Sequence, residues 1–246
     1  MPGLFDGMAA ALRGAWTAPR HRAVREAYLG LIFAMFALGV AASALGLYAL
    51  FEWTDPAAAS AWSSAGWWTL RILGSLVVLV VAPLLAVFIS NLCFPLFAEL
   101  PFMAALGALR PERARQLTAL PGLPWHVALG INLRRLCVFV LLSGGCFALG
   151  FVPFVGPFVA LPLSFVVAAR SLGWELLDPY LSRRGLGLMQ QKSYLKLHFW
   201  PIFGFGLVAA AALAIPLVGP LFFGVLQAAA AELVAGVLEP APDDGR

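Results

Sequence analysis

The chain has 246 residues, of which 62% are hydrophobic and 11% charged, against roughly 45–50% and about 25% in an ordinary soluble domain. That balance excludes a soluble globular domain, a disordered chain and a small disulfide scaffold, and leaves an integral membrane protein built from several apolar segments. The net charge of +4 does not point to nucleic acid, because the basic residues sit beside the ends of apolar runs, as in cytoplasmic membrane loops, and not along a groove-lining face.

Residues 4–16 place Leu4, Phe5, Met8, Leu12 and Trp16 at helical spacing, with Asp6 and Arg13 on the other side and Pro19 closing the run. This predicts a short interfacial helix. Arg20, Arg22 and Arg25 then lead into residues 27–51, 25 residues without a charge, long enough at ~1.5 Å per residue to cross a ~30 Å hydrocarbon core and longer than the h-region of a cleaved signal. The connection 52–68 carries Glu52 and Asp55 but no Lys or Arg, so it is expected to face outside, with Trp62, Trp67 and Trp68 at headgroup level. Residues 72–96 return as a second transmembrane helix. Within them Pro83 and Pro95 remove backbone donors and Asn91 adds a polar group, as a kink satisfied by neighbouring helices or as part of a solute pathway.

Between Arg135 and Arg170 the chain is again uncharged, but Pro153, Phe154, Val155, Gly156 and Pro157 interrupt it. The arms 136–152 and 158–169 hold 17 and 12 residues, or ~25 and ~18 Å as helix, so at least one is too short to span. The same P-x-V-G-P pattern returns 63 residues later as Pro216, Leu217, Val218, Gly219 and Pro220, between the apolar arms 199–215 and 221–231. Two re-entrant hairpins are expected; the plainer alternative is a tight helical hairpin whose proline starts its second helix. Non-helical backbone at membrane depth has to be covered by protein or line a water-filled cavity, which calls for homo-oligomer contacts or a passage. The helix starts after Pro157 and Pro220 also offer free amides to an anion.

Cys93, Cys137 and Cys146 show no CxxC spacing, and His21, His126 and His198 are far apart. No metal site, disulfide framework or cofactor is expected. The chain has no Walker A, GxSxG or HExxH motif and no paired carboxylates, so ATP-driven pumping and hydrolytic catalysis lack their residues. Glu99 and Glu232, the carboxylates nearest the apolar runs, are expected to cap helices or pair with arginines. Residues 1–238 read as one membrane domain, and 239–246, with Glu239, Asp243 and Asp244 among prolines, as a flexible acidic tail.

Together, the repeated turns 153–157 and 216–220, the stretch Asn91, Pro95 and Glu99, and the segment Leu177, Asp178, Pro179, Tyr180, Arg183, Arg184 and Gly185 carry a resemblance. The chain resembles the bacterial CysZ sulfate permeases and the related etoposide-induced membrane proteins from about Phe5 to Val237. The resemblance implies an all-α fold with two long transmembrane helices, two hemi-penetrating hairpins and both termini inside, in the bacterial inner membrane. It also implies sulfate uptake for cysteine biosynthesis. The family's Gly-Leu-Arg sulfate motif follows a proline; here Pro19 precedes Arg20, His21 and Arg22, so Arg22 matches and the other two positions differ. Arg20, Arg22 and Arg25 are the expected oxyanion ligands, since guanidinium groups suit forked, charge-assisted contacts. The competing reading is an oligomeric membrane scaffold through which no solute passes, with the arginines anchored on lipid phosphates.

Overall fold

A computed structural model describes residues 2–54, 61–153, 156–215 and 219–240, and within these the side chains of all but 31, 35, 61–65, 83–98, 157 and 219–221. Helix α1 (Leu4–Thr17) and a 3-10 turn (Ala18–Arg20) precede α2 (Arg22–Trp53), α3 (Ala61–Leu109), α4 (Pro111–Ala119) and α5 (Trp125–Gly150). There follow α6 (Gly156–Leu176), α7 (Asp178–Arg183), α8 (Leu188–Leu197), α9 (Phe199–Leu213) and α10 (Gly219–Leu233), which ends in a π-helical turn, Val234–Leu238. Among the described residues there is no strand. The protein is therefore an all-α membrane protein, and it divides into two compact units, Met1–Tyr28 with Pro95–Arg246, and Leu29–Phe94.

In the first unit α1 packs on α9 and α10, α6 packs on α9, and α5 packs on α6. The face that α1 buries is not its large apolar stripe but Gly7, Ala10, Ala11 and Gly14; Phe5 and Trp16 are 79% and 71% exposed. Lipid is as apolar as leucine, so large side chains gain little by leaving it. Small residues that let backbones touch decide helix contacts instead. A Cβ on Gly14 would lie 2.6 Å from Ala229 Cα, and one on Gly173 2.6 Å from the Ile202 carbonyl oxygen. Cβ atoms on Gly7 and Gly204 would strike the carbonyls of Pro201 and Leu4. These crossings fix α1, α6, α9 and α10 as one packed group, closed by fully buried Phe102, Leu106, Tyr180 and Phe205. The outward stripe of α1 is left to meet lipid, as an interfacial helix would.

The hairpins differ from each other. Helices α5 and α6 hold 26 and 21 residues, not the 17 and 12 of the uncharged arms, because both helices continue through charged residues: Arg134 and Arg135 on α5, Arg170 and Glu175 on α6. A charge ends an apolar run but not a helix when a partner satisfies it, and Arg135 has one in Asp178. Trp125–Gly150 and Phe158–Leu176, like Arg22–Trp53, are long and apolar enough to cross a membrane. Shortness is thus a property of α9, which has 15 residues, or ~22 Å against ~30 Å, whereas α10, also of 15 residues, continues into its π-helical turn. Helix α9 also turns by 93° from α8 at His198.

In the second unit the ends of α2 and α3 are tied by Arg71. Its guanidinium donates to Thr54 Oγ1 at 3.0 Å and to the Phe51 carbonyl at 2.9 Å, and lies over the Phe51 ring at 4.8 Å. Phe33, Phe36, Leu73 and Val80 are exposed, as lipid-facing positions must be. Helix α3 has 49 residues, and its backbone runs through Pro83, Asn91 and Pro95 to Leu109, past the expected end at Leu96. The side chains of these three lie outside the described residues.

Candidate functional site

The sequence-predicted arginines sit where α1 gives way to α2. Ala18 and Val24 are buried and pin this junction to the first unit. Arg20, Arg22 and Arg25 consequently face outward, all three exposed. The Arg20 guanidinium lies 5.1 Å above the Trp16 ring. Arg22 donates from Nε to Glu26 Oε1 at 2.7 Å, with 85% of its side chain exposed. Among the described residues neither Arg20 nor Arg25 has an ion-pair partner. Arg22 and Arg25 are one helical turn apart, so the junction presents three guanidinium groups against one carboxylate. Glu26 was missed in reading the sequence for ligands, although its i,i+4 spacing from Arg22 is a local signal.

At the first hairpin turn, Gly156 is buried, and a Cβ there would meet the Leu149 and Gly150 carbonyls. Glycine is required by close approach and not by its dihedral angles. Pro153 is exposed. Pro157, Gly219 and Pro220 begin α6 and α10 as backbone, with side chains outside the described ones where they have them, and 154–155 and Pro216 with 217–218 lie outside the described residues.

A set of charged contacts that the sequence reading did not bring together joins α3 to α8 and the end of the chain. Arg135 Nη1 donates to Asp178 Oδ1 at 2.6 Å, their side chains only 14% and 8% exposed. Arg135 also lies 5.4 Å above the Trp174 ring. The Trp174 indole donates to Gln191 Oε1 at 3.0 Å, and Gln191 Nε2 donates to the Leu186 carbonyl at 2.9 Å. Arg183 pairs with Glu99, and Arg13 Nε lies 3.8 Å from Glu232 Oε1, so both carboxylates are paired as expected. Glu239, placed at the start of the tail by sequence, receives Arg113, Arg184 and the Tyr180 hydroxyl. Burial, reinforced by Glu239, pushes the Tyr180 phenol above its usual range, so it stays a neutral donor. Burial opposes the Arg113 charge, but Glu239 outweighs it and raises that pKa. The partners are 43, 84 and 126 residues apart, beyond any helical periodicity. Among the described residues no cluster of His, Cys, Asp and Glu is arranged to hold a metal.

The family described as sulfate transporter CysZ/etoposide-induced protein 2.4 matches residues 12–223. The chain belongs to that family. The match takes in α2 to α9 and the start of α10, and with them Arg20, Arg22, Arg25 and both P-x-V-G-P turns; Glu239 lies beyond it. No curated relative matches the chain. Membership in the sulfate transporter CysZ/etoposide-induced protein 2.4 family, with helices that can cross a bilayer, makes this a multi-pass, sulfate-transporter-like membrane protein of a transporter-type and not an enzyme-type family.

Proposed function

We propose that the protein is an inner-membrane permease for sulfate or a similar oxyanion, feeding sulfur assimilation, with both termini cytoplasmic and a homo-oligomer covering the hairpin turns. The observation that carries this reading is the arginine-rich, outward-facing junction at Arg20, Arg22 and Arg25, inside the family-matched residues. The Arg22–Glu26 pair is an exposed i,i+4 pair, worth about 0.3–0.5 kcal/mol. An incoming divalent anion therefore releases the Arg22 fork at little cost and gains charge-assisted contacts from three guanidiniums. Deeper in, the helix starts after Pro157 and Pro220 offer amides to the same charge. Weak, successive contacts let the anion leave as readily as it enters, and it moves down its gradient.

Titrating the full-length protein in detergent with sodium sulfate, at constant ionic strength, tests the first contact. Arg22→Ala is expected to weaken sulfate binding at least tenfold while elution volume and helicity stay unchanged. Unchanged affinity in the well-folded variant would remove Arg22 from the site.

A further inference from the structure

The last described turn of the chain brings one carboxylate into a nest of arginines. Glu239 Oε1 accepts from Arg184 Nη1 at 2.9 Å and from the Tyr180 hydroxyl, and Oε2 accepts from Arg113. Arg184 Nη1 also donates to the Tyr180 oxygen at 2.8 Å, and Arg110 Nη1 donates to the Glu239 carbonyl at 3.0 Å. The nearby acidic groups are engaged elsewhere: Glu112 with Arg115, Glu99 with Arg183. Two guanidiniums thus meet one carboxylate, which leaves one positive charge uncompensated, while Arg110 is held on the backbone carbonyl of the same residue.

The donors are arranged for two oxygens of one anionic group, and they come from two segments, α4 with its preceding residue and the α7 region. Tyr180 is held by the buried packing of α7, and Arg184, exposed just beyond that helix, donates to the Tyr180 oxygen and is stacked over the rings of Tyr180 and Tyr194 at 5.5 and 5.8 Å. The nest is therefore preorganised without Glu239. Buried Val234, Ala235, Val237 and Leu238 anchor the turn before Glu239, so residue 239 can swing out, releasing its own amide, while the rest of that turn stays.

We infer that this nest is a second binding site for a divalent tetrahedral oxyanion, and that Glu239 is an internal occupant which such an anion displaces. A dianion compensates one more guanidinium than the carboxylate does. Glu239 competes because it is tethered, at an effective concentration on the order of millimolar, so the site fills only as the oxyanion reaches that range. The ligand class rests on the permease reading above. The residues are different ones, so the two ideas fail separately.

The test uses the full-length protein with Arg22→Ala, which silences the entry contact, and inorganic sulfate at ionic strength held constant with chloride. Adding Glu239→Gln is expected to raise sulfate affinity at least tenfold, and adding Arg113→Gln and Arg184→Gln to abolish that gain. An isotherm unmoved by Glu239→Gln overturns the inference. If Glu239→Gln does not fold, the unaltered protein decides: sulfate, but not chloride of equal ionic strength, should speed hydrogen exchange at the Glu239 amide, which donates to the Val234 carbonyl at 2.9 Å. Unaltered exchange at saturating sulfate overturns it too. Sulfate binding gained by Glu239→Gln in a protein that transports nothing would sink the permease and leave the nest; transport with an unmoved isotherm would do the reverse.

Discussion

Asp178→Asn removes the negative half of the most deeply buried ion pair described, between α5 and α7. The Arg135 and Asp178 side chains are 14% and 8% exposed and 2.6 Å apart, so solvent screens the pair little. Removing one partner of such a pair costs about 3–5 kcal/mol, because the remaining charge stays buried without compensation. Asp178 also lies in the first turn of α7, where losing a negative charge adds about 0.3–1 kcal/mol. The Arg135 guanidinium keeps its place over the Trp174 ring, a contact that offsets part of the lost pairing and places the expected loss near the lower end, about 3 kcal/mol. On the soluble-protein scale of about 2–4 °C per kcal/mol at this length, Tm should fall by about 6–12 °C. Thermal unfolding in detergent, read by tryptophan fluorescence, measures it, and Arg135→Gln with Asp178→Asn closes a double-mutant cycle. The double variant should lose less than the sum of the singles. A Tm within about 1 °C of the parent for Asp178→Asn, or strictly additive losses, would refute the buried-pair account.

Gly14→Leu should lower Tm by several degrees by driving α1 off Ala229, whereas Gly30→Leu on α2, where a Cβ meets nothing within 4 Å, should be neutral; equal effects in the same melt would contradict small-residue packing of α1. Trp174→Phe keeps the ring beneath Arg135 but withdraws the indole donor from fully buried Gln191, and an unsatisfied buried oxygen costs about 1–3 kcal/mol. Gln191→Leu in the Trp174→Phe background should recover part of that loss, and no recovery would argue against it.

The apolar segments were legible because hydropathy is local: the charge-free run 27–51 lies inside α2, and the P-x-V-G-P turns separate α5 from α6 and α9 from α10. Helix length was less legible. Arg134, Arg135 and Arg170 ended the uncharged run on paper, yet the helices carry them: Arg134 and Arg170 are exposed, and Arg135 finds Asp178. The face of α1 that packs on its neighbours was not legible for a related reason, because a search for large apolar residues passes over Gly7, Ala10, Ala11 and Gly14. The arginines at 20, 22 and 25 could be nominated from position and resemblance alone. The pairs Arg135–Asp178, Arg183–Glu99 and Arg113–Glu239 could not, because only tertiary packing, of α7 for the first two and of α4 for the third, brings them within reach.

The most direct test of the permease account is uptake of radiolabelled sulfate into sealed proteoliposomes containing the purified protein, beside Arg22→Ala and empty vesicles. The account predicts saturable uptake above empty vesicles that Arg22→Ala reduces at least tenfold. Uptake equal to empty vesicles, with the protein shown to be folded and inserted, would contradict it and favour a scaffold whose hairpins serve only to assemble the membrane complex.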